Sequence, residues 1–318
     1  MRVYSIPMRT RFRGITTREG MLLHGPAGWG EFSPFAEYGP AESARWLAAA
    51  REAAEEGWPA PVRDRIPVNV TVPAVGPVRA RELVEESGCR TAKVKVAEPG
   101  QGEADDLARV EAVRDALGPA GRIRVDVNGG WDPDRAVRMI RLLDRFDLEY
   151  VEQPCATLEE LALVRRRVDV PVAADESIRR AEDPLRVRAA EAADVAVLKV
   201  QPLGGVRAAL RVAEACGLPV VVSSAVETSV GLAAGLALAA ALPALPYACG
   251  LATLSLLEGD VVTDPLRPVA GEIPVRRPEV DEAALRRYEV DGAGGAGWRD
   301  RLAAARVELD GVPGRVVS

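Results

Sequence analysis

The sequence predicts an α/β fold, a (β/α)-barrel of TIM type carrying an α+β capping domain formed by the N-terminal segment and the C-terminal tail. Three observations lead there. Between residues 66 and 254, short β-branched runs alternate with amphipathic stretches, the pattern of βαβ units on a parallel sheet. Eight such repeats suit a closed barrel better than an open doubly wound sheet, and no G-x-G-x-x-G follows the first run to favour a dinucleotide fold. The ends of consecutive runs carry ionisable residues, and a barrel of this kind places its chemistry at those ends.

Taken in order, residues 1–34 read as a small antiparallel unit, with extended pieces at 2–7, 14–18 and 21–23 and turns across 25–30. Residues 42–56 are helix formers, stopped by Gly57 and Pro59. Barrel strands are expected at 67–72, 92–96, 123–127, 149–152, 172–174, 195–199 and 220–223, with a weakly patterned last strand at 247–250. Helices are expected at 105–116, 133–146, 158–167, 181–192, 206–215 and 228–242. Beyond residue 250 the periodicity decays: 256–263 and 271–274 read as short extended pieces, 282–288 as a helix and 292–297 as a flexible loop. The expected division is a cap at 1–65, a barrel at 66–254 and a segment at 255–318 that packs back on the cap.

Composition narrows the function. A chain of 318 residues, 48% hydrophobic and 28% charged, can bury a large core. A net charge of −6 argues against a binder of phosphate backbones, so no nucleic-acid partner is expected. No apolar run reaches the ~18 residues of a membrane span, and Arg2, Arg9, Arg11 and Arg13 interrupt any signal-peptide core, so no membrane partner and a cytoplasmic location are expected. Cys89, Cys155, Cys216 and Cys249 form no CxxC pair, which disfavours zinc and a disulfide framework. With His24 as the one histidine, a Ser-His or Cys-His nucleophile has little to be built from. Whether the chain acts as a monomer or a homo-oligomer stays open.

Lys93, Lys95 and Lys199 are the only lysines among 41 Lys plus Arg. An arginine keeps its proton near neutral pH, whereas a lysine can lose it, so these three are the candidates for proton transfer. Lys93 and Lys95 end the second barrel run on one face, pointing into the mouth, while Ala92 and Val94 face the helices. By the same alternation Arg124, Asp126 and Asn128 share a face of the third run; Glu152 ends the fourth, Asp175 and Glu176 follow the fifth and Lys199 ends the sixth. Asp126, Glu152 and Asp175 make an all-oxygen set suited to Mg2+ rather than Zn2+. Repulsion among Lys93, Lys95 and the cation should depress a lysine pKa toward neutrality and supply a base. A small-molecule carboxylate bound there would have its α-proton acidified and its enediolate stabilised.

Five motifs in order, Lys93-x-Lys95, Asp126-x-Asn128, Glu152-Gln153-Pro154, Asp175-Glu176-Ser177 and Leu198-Lys199, resemble the enolase superfamily in its muconate-lactonising branch. The resemblance spans barrel and cap. It implies that Asp126, Glu152 and Asp175 bind Mg2+ and that Lys95 and Lys199 flank the substrate α-carbon. Within the branch, residues 11–14, 18–20, 28–35, Tyr38 and 129–131 are most similar to actinobacterial dehydratases of menaquinone biosynthesis. These convert 2-succinyl-6-hydroxy-2,4-cyclohexadiene-1-carboxylate to aromatic o-succinylbenzoate by syn elimination. In that likeness Lys95 removes the α-proton and returns it to the departing hydroxyl, and Lys199 stays cationic beside the enediolate. Arg124 and Lys93 orient the carboxylate or the base, Asn128 lines the cavity, and Ser223 and Ser224 meet the succinyl arm. The alternative in the branch is an N-succinylamino acid racemase or a related epimerase; Gly250-Leu251-Ala252 stands where the dipeptide epimerases resemble one another in an Asp-x-Asp.

Overall fold

The computed structural model describes residues 1–178 and 183–311. Strands β1 (Arg2–Phe12), β2 (Ile15–Gly25) and β3 (Gly28–Phe32) form an antiparallel sheet. The pieces expected at 2–7, 14–18 and 21–23 fuse into two long strands, because Gly20 lets β2 continue beneath the Tyr4 ring; a Cβ there would lie 2.5 Å from the Tyr4 hydroxyl. The turn expected across 25–30 is confined to Pro26-Ala27, and Gly30 belongs to β3. Helix α1 (Pro40–Arg51) crosses it so closely that a Cβ on Gly30 would meet the Ala50 carbonyl oxygen at 2.0 Å. Trp46, Leu47 and Ala50 of α1 pack with Val3, Met21 and Phe32. A π-helical turn at Glu52–Glu56 follows and stops at Gly57, whose φ of 76° a side chain would resist.

The barrel begins with β4 (Arg65–Pro67), β5 (Val70–Val72), α2 (Pro77–Ser87), β6 (Thr91–Lys95), α3 (Glu103–Leu117), β7 (Arg122–Asp126) and α4 (Pro133–Leu143). It continues through β8 (Leu148–Glu152), α5 (Leu158–Arg165), β9 (Val172–Ala174), α6 (Asp183–Ala189) and β10 (Val195–Leu198), then α7 (Val200–Leu203), α8 (Val206–Cys216), β11 (Val220–Val222) and α9 (Ser229–Ala241). Strands β5 to β11 are parallel neighbours in chain order. Cys249 and Gly250 close the ring: Cys249 bridges Val68 and Gly250 bridges Ser223. The weakly patterned last strand is thus reduced to a two-residue bridge. Its amides still bond on both sides, Cys249 N–H to the Pro67 carbonyl at 2.7 Å and Gly250 N–H to the Val222 carbonyl at 2.8 Å.

The run expected at 67–72 divides, because Pro67 ends β4, which pairs antiparallel with β12 (Glu272–Pro274). Residues 181 and 182 of the helix expected at 181–192 lie outside the described residues. Alternation along the strands behaves as expected. Tyr150, Ala173, Val195, Val197 and Val221 form an inner cluster, while Ala92, Val94, Val125, Val151 and Leu198 join the large core beneath the helices.

Residues 256–263 are not a strand. A 3-10 turn occupies Thr253–Leu256, with single bridges from Leu257 to Met8 and from Val262 to Val280. Helices α10 (Glu282–Tyr288) and α11 (Gly292–Gly311) end the chain, so the loop expected at 292–297 is the first turns of a helix. Docking explains the difference. Trp298 meets Phe32 edge-on at 6.0 Å, Ala305 is buried, and Arg301 donates to the carbonyls of Pro34 and Tyr38. These contacts outweigh the entropy that the helical glycines lose. Among the described residues, no helix is long and apolar enough to cross a membrane.

Candidate active site

The register of the parallel strands builds the site. Lys95 on β6 lies beside Asp126 on β7, and Asp126 beside Glu152 on β8. Gln153 holds the next step: its side-chain oxygen accepts the amide N–H groups of Asp175 at 3.0 Å and Ser177 at 3.3 Å, just beyond β9. Lys199 follows β10 directly. Strands β6 and β10 are separated by three strands along the sheet, and by β11, the 249–250 bridge and β5 the other way, so Lys95 and Lys199 face each other across the mouth.

Each carboxylate is gripped by a lysine. Lys93 Nζ donates to Glu152 Oε1 at 2.7 Å and stands 3.0 Å from Asp126 Oδ2. Lys95 Nζ donates to Asp126 Oδ2 at 2.6 Å and to the Asn128 side-chain oxygen; Lys199 Nζ donates to Asp175 Oδ2. Burial would raise the Asp126 carboxyl, but Lys93 and Lys95 pull it well below the usual range. Glu152 is pushed up to about 7 by burial and by the neighbouring Asp126 charge. Burial pushes the Lys93 ammonium down, yet Asp126 and Glu152 raise it well above its ordinary value. At Lys93 the two carboxylates outweigh desolvation.

The donors suit a hard cation. They are all carboxylates, and Glu152 Oε2 is buried without a hydrogen-bond partner among the described residues. Among the described residues no three or more His, Cys, Asp or Glu side chains are gathered closely enough to hold a metal ion, and Glu152, Asp126 and Asp175 are each paired with a lysine.

Lys93, Lys95, Asp126, Asn128, Asp175, Lys199, Ser223 and Ser224 line one cavity of about 40 Å3 under the cap. Arg124 does not join them. Its side chain turns down the barrel, donating to Glu149, to Asn69 Oδ1 at 3.2 Å and to the Ala248 carbonyl at 2.6 Å, and it stacks on Tyr150 at 4.8 Å. It plugs the barrel floor, so the expected contact with substrate is replaced by a structural one. The cap supplies Phe12, Arg13 and Phe35, and Thr71, Ala225, Val226 and Thr253 complete the wall. Sequence reasoning placed none of these seven in the site. Residues 11–14 carried a family likeness, but only the long β1–β2 hairpin brings their tip over the barrel, and Thr253 gives no local signal.

A closed barrel with opposed lysines and three carboxylates between them defines the class: enzymes that move a proton at the α-carbon of a carboxylate. Comparison with known proteins agrees. Residues 78–279 match the family described as enolase C-terminal domain-like, and residues 3–54 match the enolase N-terminal domain-like family. An o-succinylbenzoate synthase of Thermobifida fusca is 75% identical over 98% of this chain and 97% of its own length. One of Mycolicibacterium smegmatis is 55% identical over 96% and 94%. Among solved structures, muconate cycloisomerase from Pseudomonas fluorescens superposes with a TM-score of 0.76 at 24% identity, covering 91% of this chain and 97% of that one. The L-Ala-D/L-Glu epimerase from Bacillus subtilis gives 0.75 at 23%, covering 92% and 97%. The chain belongs to the enolase superfamily.

Proposed function

We propose that the chain is an o-succinylbenzoate synthase, catalysing syn dehydration of 2-succinyl-6-hydroxy-2,4-cyclohexadiene-1-carboxylate in menaquinone biosynthesis. Near full-length identity to the two synthases supports the substrate, and the opposition of Lys95 and Lys199 across the barrel mouth carries the chemistry. Asp126, Glu152 and Asp175 would hold a Mg2+ ion, which supplies a divalent Lewis acid for the ring carboxylate of the substrate.

Lys95, as a neutral amine, takes the α-proton while the C–H electron pair moves into the carboxylate as an enediolate. The resulting Lys95 ammonium gives that proton to the ring hydroxyl; the C–O bond breaks, water leaves and the ring becomes aromatic. One lysine serving both steps from one face is what a syn elimination requires. Lys199, held by Asp175, keeps its charge and opposes the enediolate from the other face. Lys93, bound to Glu152 and Asp126, orients these carboxylates, and Asn128 positions Lys95. Ser224 Oγ, 2.6 Å from Thr253 Oγ1, forms the wall with Ser223 for the succinyl arm. Four cysteines without a disulfide support a cytoplasmic setting.

The test is the purified chain with Mg2+ and the cyclohexadiene substrate, followed by the rise of aromatic absorbance. Absence of product, together with α-proton exchange on N-succinylamino acids, would replace the dehydratase by a racemase.

A further inference from the structure

The substrate proposed above carries two carboxylates, and the rim engages only the one next to the reacting carbon. Among the described residues, four cationic side chains line the cavity: Lys93, Lys95, Lys199 and Arg13. Each lysine is bonded to a rim carboxylate. Arg13 differs. Its guanidinium lies over the Phe35 ring at 4.4 Å and donates to the Tyr38 hydroxyl at 3.3 Å. The carboxylate nearest to it, Glu37 at 3.5 Å, is 56% exposed and faces solvent. Arg18, which reaches Val226 of the cavity wall, is committed to the Val226 carbonyl at 3.0 Å, Ser33 Oγ at 2.9 Å and the Glu19 carbonyl at 3.0 Å.

The backbone gives a second, independent reason to single out Arg13. It occupies the first position of the two-residue turn between the paired Phe12 and Ile15, and both turn residues, Arg13 at φ 52° and Gly14 at φ 80°, are left-handed. Such a turn favours Asn, Asp or Gly at that first position, so an arginine is held there against local preference. Strain of this kind gathers at ligand clamps. The turn also carries Phe12 and Arg13 onto the wall of the cavity, in the same lining as Lys95 and Lys199.

We propose that Arg13 binds the distal carboxylate of the substrate, at the end of the succinyl arm, and so selects dicarboxylates. The assignment rests on the dehydratase reading. A guanidinium forks onto a carboxylate with two parallel N–H···O bonds, and Glu37 is near enough to be exchanged for it.

The experiment measures kcat/KM of the Mg2+-loaded enzyme for the diacid substrate and for its analogue with the distal carboxylate replaced by a carboxamide, in wild type, Arg13→Met, Arg13→Lys and Arg13→Asn. Arg13→Met is expected to lower kcat/KM for the diacid roughly ten- to hundredfold, the loss of one charged hydrogen-bonded pair, while changing the carboxamide by less than about threefold. Arg13→Lys should recover part of the loss. Arg13→Asn suits the turn better, so it should raise Tm while losing the diacid as Arg13→Met does, which separates recognition from folding. Equal losses on both compounds would reduce Arg13 to a structural element of the hairpin, and no loss on either would remove it from recognition altogether. A wild-type enzyme that forms no aromatic product overturns the dehydratase reading itself, and the Arg13 assignment with it.

Discussion

Glu227 is buried on the segment between β11 and α9, and both its carboxylate oxygens accept the Ala225 N–H at 2.9 Å. Burial and the neighbouring Glu31 charge nevertheless raise its pKa to about 7, against the opposing pull of that backbone bond and of Arg18. The folded chain therefore keeps a proton that the unfolded chain releases near pH 4.5. Stability from this group is greatest below pH 4.5, falls as pH rises to about 7 and is constant above, a difference of about 3 kcal/mol. Glu227→Gln should flatten that slope, gaining stability over wild type at pH 8 and little at pH 4 in urea titrations. Glu31 and Asp260, raised by burial in the same direction, leave a residual slope in both proteins. Identical slopes would refute the assignment. At the rim, Lys95→Arg keeps a cation beside Asp126 but removes the group able to lose its proton. Turnover should fall by roughly hundredfold or more with Tm within a few degrees of wild type, and an active Lys95→Arg enzyme would exclude Lys95 as the base.

Helix α11 shows what an element needs beyond its own sequence. Glycines at 292, 294, 295 and 297 read as a loop because nothing local fixes them, and the helix is recovered only through Trp298, Arg301 and Ala305 docking on the cap. Gly297 is exposed inside that helix, with nothing within 4 Å of where its Cβ would stand. Gly297→Ala should therefore stabilise the protein by about 0.5–1 kcal/mol, seen as a Tm rise of a few degrees; a fall would show that the first turns are not helical in solution. The barrel was more legible. Strand runs such as 92–96 and 123–127 have β-branched residues on the helix-facing side and ionisable ones on the other, so a period of two locates both core and rim. The last strand carries too few such residues, and its pairing depends on Pro67, Asn69 and Val222, far away in sequence. Arg124 obeys the same alternation as Asp126 yet points to the floor, because Glu149 and Tyr150 bind it from below. Face is legible from spacing; depth along the barrel is not.

At the scale of the molecule, three buried polar contacts tie cap to barrel. Glu52, at the end of α1, accepts the N–H groups of Val206 and Arg207 and so caps helix α8 from outside its own segment. Arg18 on β2 donates to the Val226 carbonyl, on the segment that lines the cavity. Glu31 on β3 accepts from Tyr4 Oη at 2.7 Å, Ser33 Oγ at 2.8 Å, Thr228 N at 3.2 Å and Gly231 N at 3.1 Å, the last two at the start of α9. Because these bonds run from a sheet to a barrel loop and a helix start, cap and barrel should lose structure together. In wild type, fluorescence to which Trp29, Trp46, Trp58 and Trp298 of the cap contribute four of the five tryptophans, and far-UV circular dichroism dominated by the barrel, should report one coincident transition. Glu31→Ala strips the acceptor from five buried donors, the Thr228 hydroxyl included, at a cost of about 3–5 kcal/mol. Either the common midpoint falls sharply or the cap signal moves to lower denaturant than the barrel signal. Activity should fall more than the loss of folded protein accounts for, since Ser223, Ser224 and Val226 are held by the same segment. A variant that unfolds as one unit at the wild-type midpoint would mean that apolar packing alone couples the two, and that Glu31 contributes only to the local order of β3.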